Sequence, residues 1–329
     1  MAEGIRAGSP SSRVSRLAAL ALIVGSPVLM YAEWGFLTTG AHGSQLTGGK
    51  PRVSDHTKEV TKWRESRLKD LTGDDGWLTL VGLLWLKQGP NSLGSGPGSD
   101  LLLPEGMAPA HVGTVTLDRD GVKLDAAPGS HVSCEGKPVT HLALKPDTDG
   151  LPAVLNLGTL SFYVIKRGDR YGLRVKDKNS PARVNFRGLD YYEIDSKWRI
   201  EATFEPHSPV KKIPILNVLG MVNDEPSPGA LTFVIDGKKY RLDALAEEGT
   251  KQLFIIFRDA TSGKETYGAG RFLYADPPDE NGKVILDFNE AYNPPCAFTP
   301  FATCPLPPKQ NRLPIAIAAG EKKYAGSPH

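Results

Sequence analysis

The stretch Leu231-Thr232-Phe233-Val234-Ile235-Asp236-Gly237-Lys238-Lys239-Tyr240-Arg241-Leu242 decides the fold class. Its two apolar runs flank Asp236-Gly237, a dipeptide that favours the tight turn of a β-hairpin. Just upstream, residues 198–204 alternate between apolar and polar side chains. An alternation with a period of two places the apolar side chains on one face of a strand. The stretch therefore predicts antiparallel strands joined by short turns.

Similar patterns recur on both sides of this stretch. Asp120-Gly121 and Gly168-Asp169 each separate two apolar runs in the first half of the chain. The apolar run 77–86 predicts a strand that is buried on both faces, and residues 266–274 predict a strand that carries Arg271. Many short strands with regular turns indicate β-sandwiches or barrels.

One segment has helical periodicity. Val60, Trp63 and Leu71 recur at helical spacing within residues 54–71, and Ser54 or Asp55 is the predicted N-cap. The predicted fold class is all-β and mainly antiparallel with one N-terminal helix. A β-sandwich over residues 53–181 precedes a second β-sandwich or barrel-like domain over residues 182–329.

Charge and cysteine content argue against two classes of function. Removing the four basic and two acidic residues of positions 1–50 from the 39 basic and 37 acidic residues leaves 35 of each. A neutral body lacks the basic surface of a nucleic-acid-binding protein, so no nucleic-acid partner is expected. The three cysteines form no Cys-x-x-Cys pair, and we expect neither a metal site nor a cofactor.

The N-terminal 52 residues read as a targeting segment followed by a linker. Arg13 and Arg16 precede an apolar run over residues 17–32, the pattern of a secretory signal peptide. An uncleaved membrane anchor and a cytosolic hydrophobic extension are the alternatives. The protein is therefore expected to be exported: periplasmic, secreted or N-terminally anchored. Any membrane contact is expected only through an uncleaved segment, and the sequence leaves the oligomeric state open.

The segment of about residues 77–180 resembles a known type of β-sandwich domain. Residues 89–95, Gly-Pro-Asn-Ser-Leu-Gly-Ser, and residues 100–104 resemble the opening strands of forkhead-associated β-sandwich domains. The resemblance implies a sandwich over about residues 77–180. Those domains bind phosphothreonine through an Arg that is Ser95 in this chain. Without that guanidinium we expect the sandwich but not the phosphopeptide ligand.

The densest run of unusual residues lies between Phe254 and Tyr324. Within it, Tyr292-Asn293-Pro294-Pro295-Cys296 predicts a stiff, extended loop because each proline restricts itself and the residue before it. This loop acts either as a lid on a barrel or as a platform for site residues. Cys296 and Cys304 are expected to form a disulfide in an oxidising compartment, with free structural thiols or a nucleophile as alternatives.

Polar residues within this run are the candidate site. Asp287 and Asn289 are two positions apart, so both are expected on one face of a strand. An Asp259–Arg271 pair is expected at a barrel mouth. Asp287 and Asp259 are the candidate catalytic residues. The candidate ligand-binding residues are Asn289, Tyr292, Asn293, Arg271 and Tyr267.

The order and spacing of these segments resemble a bacterial family called domain of unknown function 1684. The resemblance rests on residues 257–263, 266–272, 286–298, 304–308 and 311–314, together with Trp77-Leu78-Thr79-Leu80 upstream. It implies an exported protein and supplies no reaction.

Two functional hypotheses follow. The first is an envelope binding module whose ligand is a small molecule, a glycan or a partner protein. The second is a hydrolase with an Asp general base at the rim of the C-terminal domain. No catalytic motif such as Gly-x-Ser-x-Gly or His-Glu-x-x-His supports the second hypothesis. Whether the protein is an enzyme stays open at this point.

Overall fold

The computed structural model describes residues 54–327, so the predicted signal or anchor and the linker lie outside the described residues. The predicted helix is present as α1, Asp55–Thr72. Ser54 is its N-cap, and the side chain of Ser54 accepts from the backbone N–H of Thr57. Val60 and Leu71 form its buried face. A one-turn helix, α2 at Pro181–Val184, follows the first domain.

The first half of the body is a β-sandwich. Its strands are β1 Leu80–Trp85, β2 Gly89–Gly94, β3 Leu101–Leu102, β4 Gly113–Asp118, β5 Gly121–Ala126, β6 Ser133–Cys134, β7 Lys137–Pro138, β8 His141–Leu144, β9 Leu155–Leu157, β10 Leu160–Arg167 and β11 Arg170–Asp177. One sheet has the order β1-β11-β10-β9-β6-β7, and the facing sheet has the order β3-β2-β4-β5-β8. All pairings are antiparallel except β2 with β3. Leucine, valine and phenylalanine side chains fill the space between the sheets.

The second half is a curled, half-barrel sheet. Its strands are β12 Arg199–Leu216, β13 Val222–Ile235, β14 Lys238–Ala246, β15 Leu253–Phe257, β16 Arg271–Ala275 and β17 Lys283–Asp287. They are ordered β16-β15-β14-β13-β12-β17. The sheet curls until its edge strands β16 and β17 approach each other. The predicted fold class is confirmed.

The β13–β14 hairpin turns at the predicted dipeptide. Asp236 has φ 50° and Gly237 has φ 72°. Both values lie in the left-handed region that a type I′ turn requires, and glycine adopts it without steric cost. This turn sets the register of the hairpin, in which Phe233 lies opposite Tyr240.

Two predicted strands are wrong in detail. Trp77–Thr79 forms a 3₁₀ turn, and β1 begins only at Leu80, as a half-buried edge strand. Residues 266–270 are turns, and β16 begins at Arg271. In both places the residues form a buried turn. Apolar content alone does not distinguish a buried turn from a buried strand, so the sequence predicted strands there.

The half-barrel sheet is buried on both faces along β15. Leu253, Ile255 and Phe257 pack into the core enclosed by the curl. Phe254 and Ile256 point to the other face, where the C-terminal end of α1 and residues 292–304 cover them. The predicted seam near Ser180-Pro181 coincides with α2, and the domain boundaries drawn from it stay a prediction.

Candidate functional site

Asp259 and Arg271 form a fully buried ion pair. Arg271 Nη2 lies 2.7 Å from Asp259 Oδ2, and both side chains have 0% exposure. Arg271 also donates to the carbonyls of Ile317, at 2.9 Å, and Ala319. Asp259 accepts from the backbone N–H of Thr261 at 2.9 Å and from that of Ile317 at 3.2 Å. The pair lies inside the domain rather than at a mouth, and it holds the C-terminal segment.

Burial affects the pKa of Arg271 in this ion pair. Desolvation lowers the pKa of Arg271, and the charge of Asp259 opposes this shift. An arginine stays protonated under these conditions. The pair is therefore a permanent ionic clamp and has no accessible proton to exchange with a substrate.

Asn293 and Tyr292 belong to a neighbouring buried network. Glu321, with 0% exposure, accepts from the backbone N–H of Asn293 at 2.8 Å and from Arg67 Nε at 3.0 Å. Arg67 donates in turn to the Asn293 carbonyl at 3.0 Å and lies 4.6 Å from the centre of the Tyr292 ring. Burial raises the pKa of the Tyr292 hydroxyl. This network fastens α1 to the proline-rich loop.

Tyr267, Cys296 and Cys304 complete the packing of that loop. The Tyr267 hydroxyl donates to the Cys296 carbonyl at 3.1 Å, and the Cys296 backbone N–H donates to Cys304 Sγ at 3.2 Å. Burial raises the pKa of Cys304 well above that of a free thiol. The predicted disulfide is not formed in this structure, which holds Cys134, Cys296 and Cys304 as free thiols.

Asp287 and Asn289 form a second, separate group. Asp287 Oδ1 accepts from the Asn289 backbone N–H at 3.0 Å and from Asn289 Nδ2 at 2.8 Å. A 3₁₀ turn, Phe288–Glu290, brings them together, so the predicted strand alternation is wrong here. Asn289 exchanges two further hydrogen bonds of 3.0 Å with the backbone of Asp195.

Two titratable groups that sequence reasoning missed lie beside Asp287. His56 Nε2, from the first turn of α1, lies 2.6 Å from Asp287 Oδ2. Burial and the charge of Asp287 raise the pKa of Glu290 to about 7, and Arg199 opposes this shift. The spacing within residues 254–324 contains no signal for His56, which comes from the other end of the chain.

The predicted site residues therefore do not converge on one pocket. Asp259, Arg271 and Asn293 bind backbone groups or one another in the interior, and the Tyr292 ring packs there against Arg67. Asp287 and Asn289 bind each other at a 3₁₀ turn, and Asn289 also binds the backbone of Asp195. Side chains that are spent on capping cannot also orient a ligand.

A Ser–His–Asp group was also missed by sequence reasoning. Ser227 Oγ lies 3.4 Å from His207 Nδ1, and His207 Nε2 lies 3.9 Å from Asp243 Oδ1. The Ser227 hydroxyl, however, donates to the Ala244 carbonyl at 2.6 Å, and Ser227 has 0% exposure. Arg241 Nη2 lies 3.2 Å from His207 Nε2 and has only protons to give, so that nitrogen accepts.

This tautomer decides the chemistry of the group. With Nε2 accepting, the imidazole proton is on Nδ1, which lies 3.2 Å from the Ser227 carbonyl and donates to it. An Nδ1 that carries a proton cannot accept one from the Ser227 hydroxyl. The group is thus a satisfied buried network and not a nucleophile–base pair.

A polar groove lies on the outer face of the six-stranded sandwich sheet. Lys176, Ser161 and Asn156 are aligned across β11, β10 and β9 by the strand register. Their neighbours in sequence point into the sandwich core, so these three side chains point outward. The groove has a volume of about 320 Å³ and is also lined by Tyr163.

Loops form the walls of this groove. Asp74 and Asp75, from the turn after α1, close one side, and Pro152 and Val154 close the other. A second hollow of about 550 Å³ shares Pro152, Val154 and Asn156 with the first. The two hollows together make an elongated depression.

Two kinds of feature are absent from the part of the chain that the structure describes. None of the helices within residues 54–327 is long and apolar enough to cross a membrane. Within the same range, no group of three or more His, Cys, Asp or Glu side chains is arranged to hold a metal ion.

Comparisons with known proteins identify the family. The comparison with curated proteins gave no match. Among solved structures, the chain is similar to an uncharacterised protein of Haloarcula marismortui determined by solution NMR. The two share 34% sequence identity over 43% of this chain and 78% of that chain, with a TM-score of 0.37. The family model described as "Protein of unknown function (DUF1684)" matches residues 184–322. The chain therefore belongs to the DUF1684 family.

Proposed function

We propose that this protein is a binding module that takes a glycan in the groove on the outer face of its sandwich. The observation that carries the proposal is the row Lys176, Ser161 and Asn156 across three adjacent strands. The row presents an ammonium, a hydroxyl and an amide at fixed spacing on a rigid sheet. Tyr163 adds an aromatic ring beside them.

The chemistry of the row suits a ligand rich in hydroxyl groups. Ser161 and Asn156 can both donate and accept, and Lys176 donates. The Asn156 amide has only a long bond of 3.5 Å to the Val154 carbonyl, so its hydrogen-bonding capacity is largely unused. A tyrosine ring offers an apolar face together with a polar tip. Sites of this kind fix a ligand through a few placed polar groups.

The elongated depression favours a chain of sugars over a single one. The second hollow continues past Pro152 and Asn156 and adds the exposed Leu151 and the side chain of Lys145. A ligand of more than one sugar ring would extend from the first hollow into the second across Pro152 and Asn156.

Export and the disulfide complete the proposal. We infer that the segment before residue 53 directs the protein out of the cytoplasm, as its basic and apolar regions indicate. In an oxidising compartment the neighbouring thiols of Cys296 and Cys304 would then join. Both inferences rest on the sequence and on the proximity of the two cysteines.

A hydrolase is the second candidate, favoured by one observation. The 2.6 Å contact between His56 and Asp287 forms a dyad in which the carboxylate can orient the imidazole. Glu290, with its pKa near 7, lies beside it as a potential proton donor. Asp287 already caps a 3₁₀ turn, and therefore the glycan-binding role has the stronger support.

The test is binding of soluble oligosaccharides to the whole protein. We expect a panel of neutral and acidic trisaccharides to contain a ligand detected by calorimetry. Asn156→Ala should weaken its binding about tenfold, since one or two hydrogen bonds are lost. Asn223→Ala, on the distant hairpin of β12 and β13, is the matched control. No binding by any trisaccharide would refute the proposal, as would equal binding by both variants.

A further inference from the structure

Arg174 is a buried cation without a carboxylate beside it. Only two arginines within residues 54–327 are classed as buried: Arg174, with 5% exposure, and Arg271, with 1%. Arg271 is compensated by Asp259 and by carbonyl groups. The hydrogen-bond partners of Arg174 are two hydroxyl groups, and its Nε has none within the described residues.

The contacts of Arg174 are weak for a buried charge. Nη1 donates to the Tyr163 hydroxyl at 3.3 Å, and Nη2 donates to the Thr303 hydroxyl at 3.5 Å. The guanidinium carbon lies 5.0 Å from the centre of the Trp77 ring and 5.9 Å from that of Tyr163. Ring faces attract a cation, but they do not accept its protons as an oxyanion does. A buried charge without a counter-ion carries a desolvation cost that an anion would offset.

Tyr163 connects this cation to the groove. Tyr163 and Arg174 are directly paired residues of β10 and β11, one row beyond Ser161 and Lys176. Because the Tyr163 oxygen accepts from Arg174, its own proton is free to be donated to a ligand in the groove. A hydroxyl that accepts from a cation becomes a better donor through cooperative polarisation.

Four charged side chains line the groove, two lysines and two aspartates. Asp74 is engaged by Arg183 at 2.7 Å and by Lys178 at 3.8 Å. Lys176 donates to the backbone carbonyl of Asp75 at 2.6 Å, so it makes no bond to a carboxylate there. Asp75 is exposed at the outer wall. Lys176 and Tyr163 line the groove, and Arg174 lies behind the Tyr163 hydroxyl.

We propose that the groove selects a glycan that carries a carboxylate, held by Lys176 and by the Tyr163 hydroxyl with Arg174 behind it. This inference rests on the proposed glycan-binding function and adds the ligand class. Arg174 acts as a positioning residue, since it reaches the ligand through Tyr163. No bond is made or broken in this role.

The test compares two trisaccharides on the whole protein: trigalacturonate and neutral galactotriose with the same linkage. Calorimetry at low salt should give at least tenfold tighter binding of trigalacturonate, with the preference reduced at high ionic strength. Tyr163→Phe keeps the ring and removes the hydroxyl, and it should abolish most of that preference. Arg174→Gln should do the same.

Matched controls come from the same strand. Arg170 stacks 4.0 Å from the centre of the Trp85 ring, and Tyr171 is its neighbour, both away from the groove. Arg170→Gln and Tyr171→Phe should therefore retain the preference. Circular dichroism and thermal unfolding identify any variant that fails to fold. Tyr163→Phe tests the inference even if Arg174→Gln does not fold.

Three results would overturn the inference. Equal affinity for the two trisaccharides would refute the recognition of a carboxylate, and the proposed binding of a glycan would stand. A preference that survives in both Tyr163→Phe and Arg174→Gln would place the recognition of charge elsewhere. If the protein binds neither trisaccharide but binds another member of the panel, only this inference is overturned. If it binds no member of the neutral and acidic panel, the proposed function is refuted as well.

Discussion

The fold strongly alters the titration of the Glu290 carboxyl group. Burial is the main cause, the charges of Asp287, Asp276 and Glu59 add to it, and Arg199 opposes it, so that its pKa is about 7. An unfolded glutamate titrates near 4.3. The folded protein therefore binds a proton more tightly at this position than the unfolded chain does.

This difference predicts how stability depends on pH. Since the folded pKa is raised, the contribution of Glu290 is most favourable below pH 4.5 and is lost as the pH rises to about 7. The free energy of unfolding should fall across this window by up to about 3 kcal/mol from this group. Urea unfolding of the wild type and of Glu290→Gln, measured at intervals from pH 4.5 to 8, gives the difference.

The glutamine variant supplies the control for that prediction. It cannot titrate, so its stability relative to the wild type should increase from pH 4.5 to 7 and then level off. A difference that does not change with pH would mean that Glu290 is solvated in the folded state.

At the scale of residues, the sequence indicates which side chains are unusual but not what they contact. Asp259 and Arg271 can be singled out as a polar pair within apolar strands, and the structure joins them at 2.7 Å. Their backbone partners, Ile317 and Ala319, follow no local pattern because they come from an irregular C-terminal segment. Arg174 and Tyr163 read as ordinary strand residues until the register places them opposite each other.

Among the elements, α1 binds the C-terminal part of the chain through several side chains, and Arg67 makes the most contacts of them. Arg67 binds the Glu321 carboxylate, the Asn293 carbonyl and the face of the Tyr292 ring. Arg67→Met should destabilise the protein by about 3–5 kcal/mol, because it leaves a buried carboxylate unpaired. Urea unfolding measures the loss.

A double-mutant cycle separates the interaction energy of the Arg67–Glu321 ion pair from the packing energy of the two side chains. Glu321→Gln in the Arg67→Met background should recover part of the loss and give a coupling energy of at least about 1 kcal/mol. The exposed pair Lys283–Glu201 is the control, with an expected coupling near zero. Equal couplings for the two pairs would show that the Arg67–Glu321 ion pair does not stabilise the attachment of α1.

The loop that carries Cys296 and Cys304 gives a prediction at the scale of elements that depends on the proposed export. Protein recovered from an oxidising compartment should contain a 296–304 disulfide, detected by peptide mass mapping without reduction. Closing this short loop should add about 2–3 kcal/mol to the free energy of unfolding. Cys134→Ser should leave the disulfide unchanged, and free thiols at both positions after export would contradict the prediction.

Elements with a strong local signal could be predicted from the sequence, and elements held by tertiary contacts could not. Asp236-Gly237 fixes its hairpin because its positive φ angles are a local requirement. The 3₁₀ turn Trp77–Thr79 is read as a strand because its apolar side chains pack against α1 and the loop 292–304. Local propensity is a weak guide where burial is set by distant segments.

At the scale of the molecule, the family-defining block and the proposed site lie in different halves. The family model covers residues 184–322, which form the half-barrel and its buried polar networks. The groove lies on the sandwich, within residues 74–178. Those buried networks stabilise the second half of the fold, and we propose that the polar groove of the sandwich takes the ligand.

The location of the ligand is the most direct test of this division. Backbone amide shifts of isotope-labelled protein, recorded during titration with trigalacturonate, would map the site residue by residue. We expect the largest changes at Asn156, Ser161, Tyr163 and Lys176. Changes centred on Asp287, Tyr292 and Asn293, with the sandwich unaffected, would contradict it.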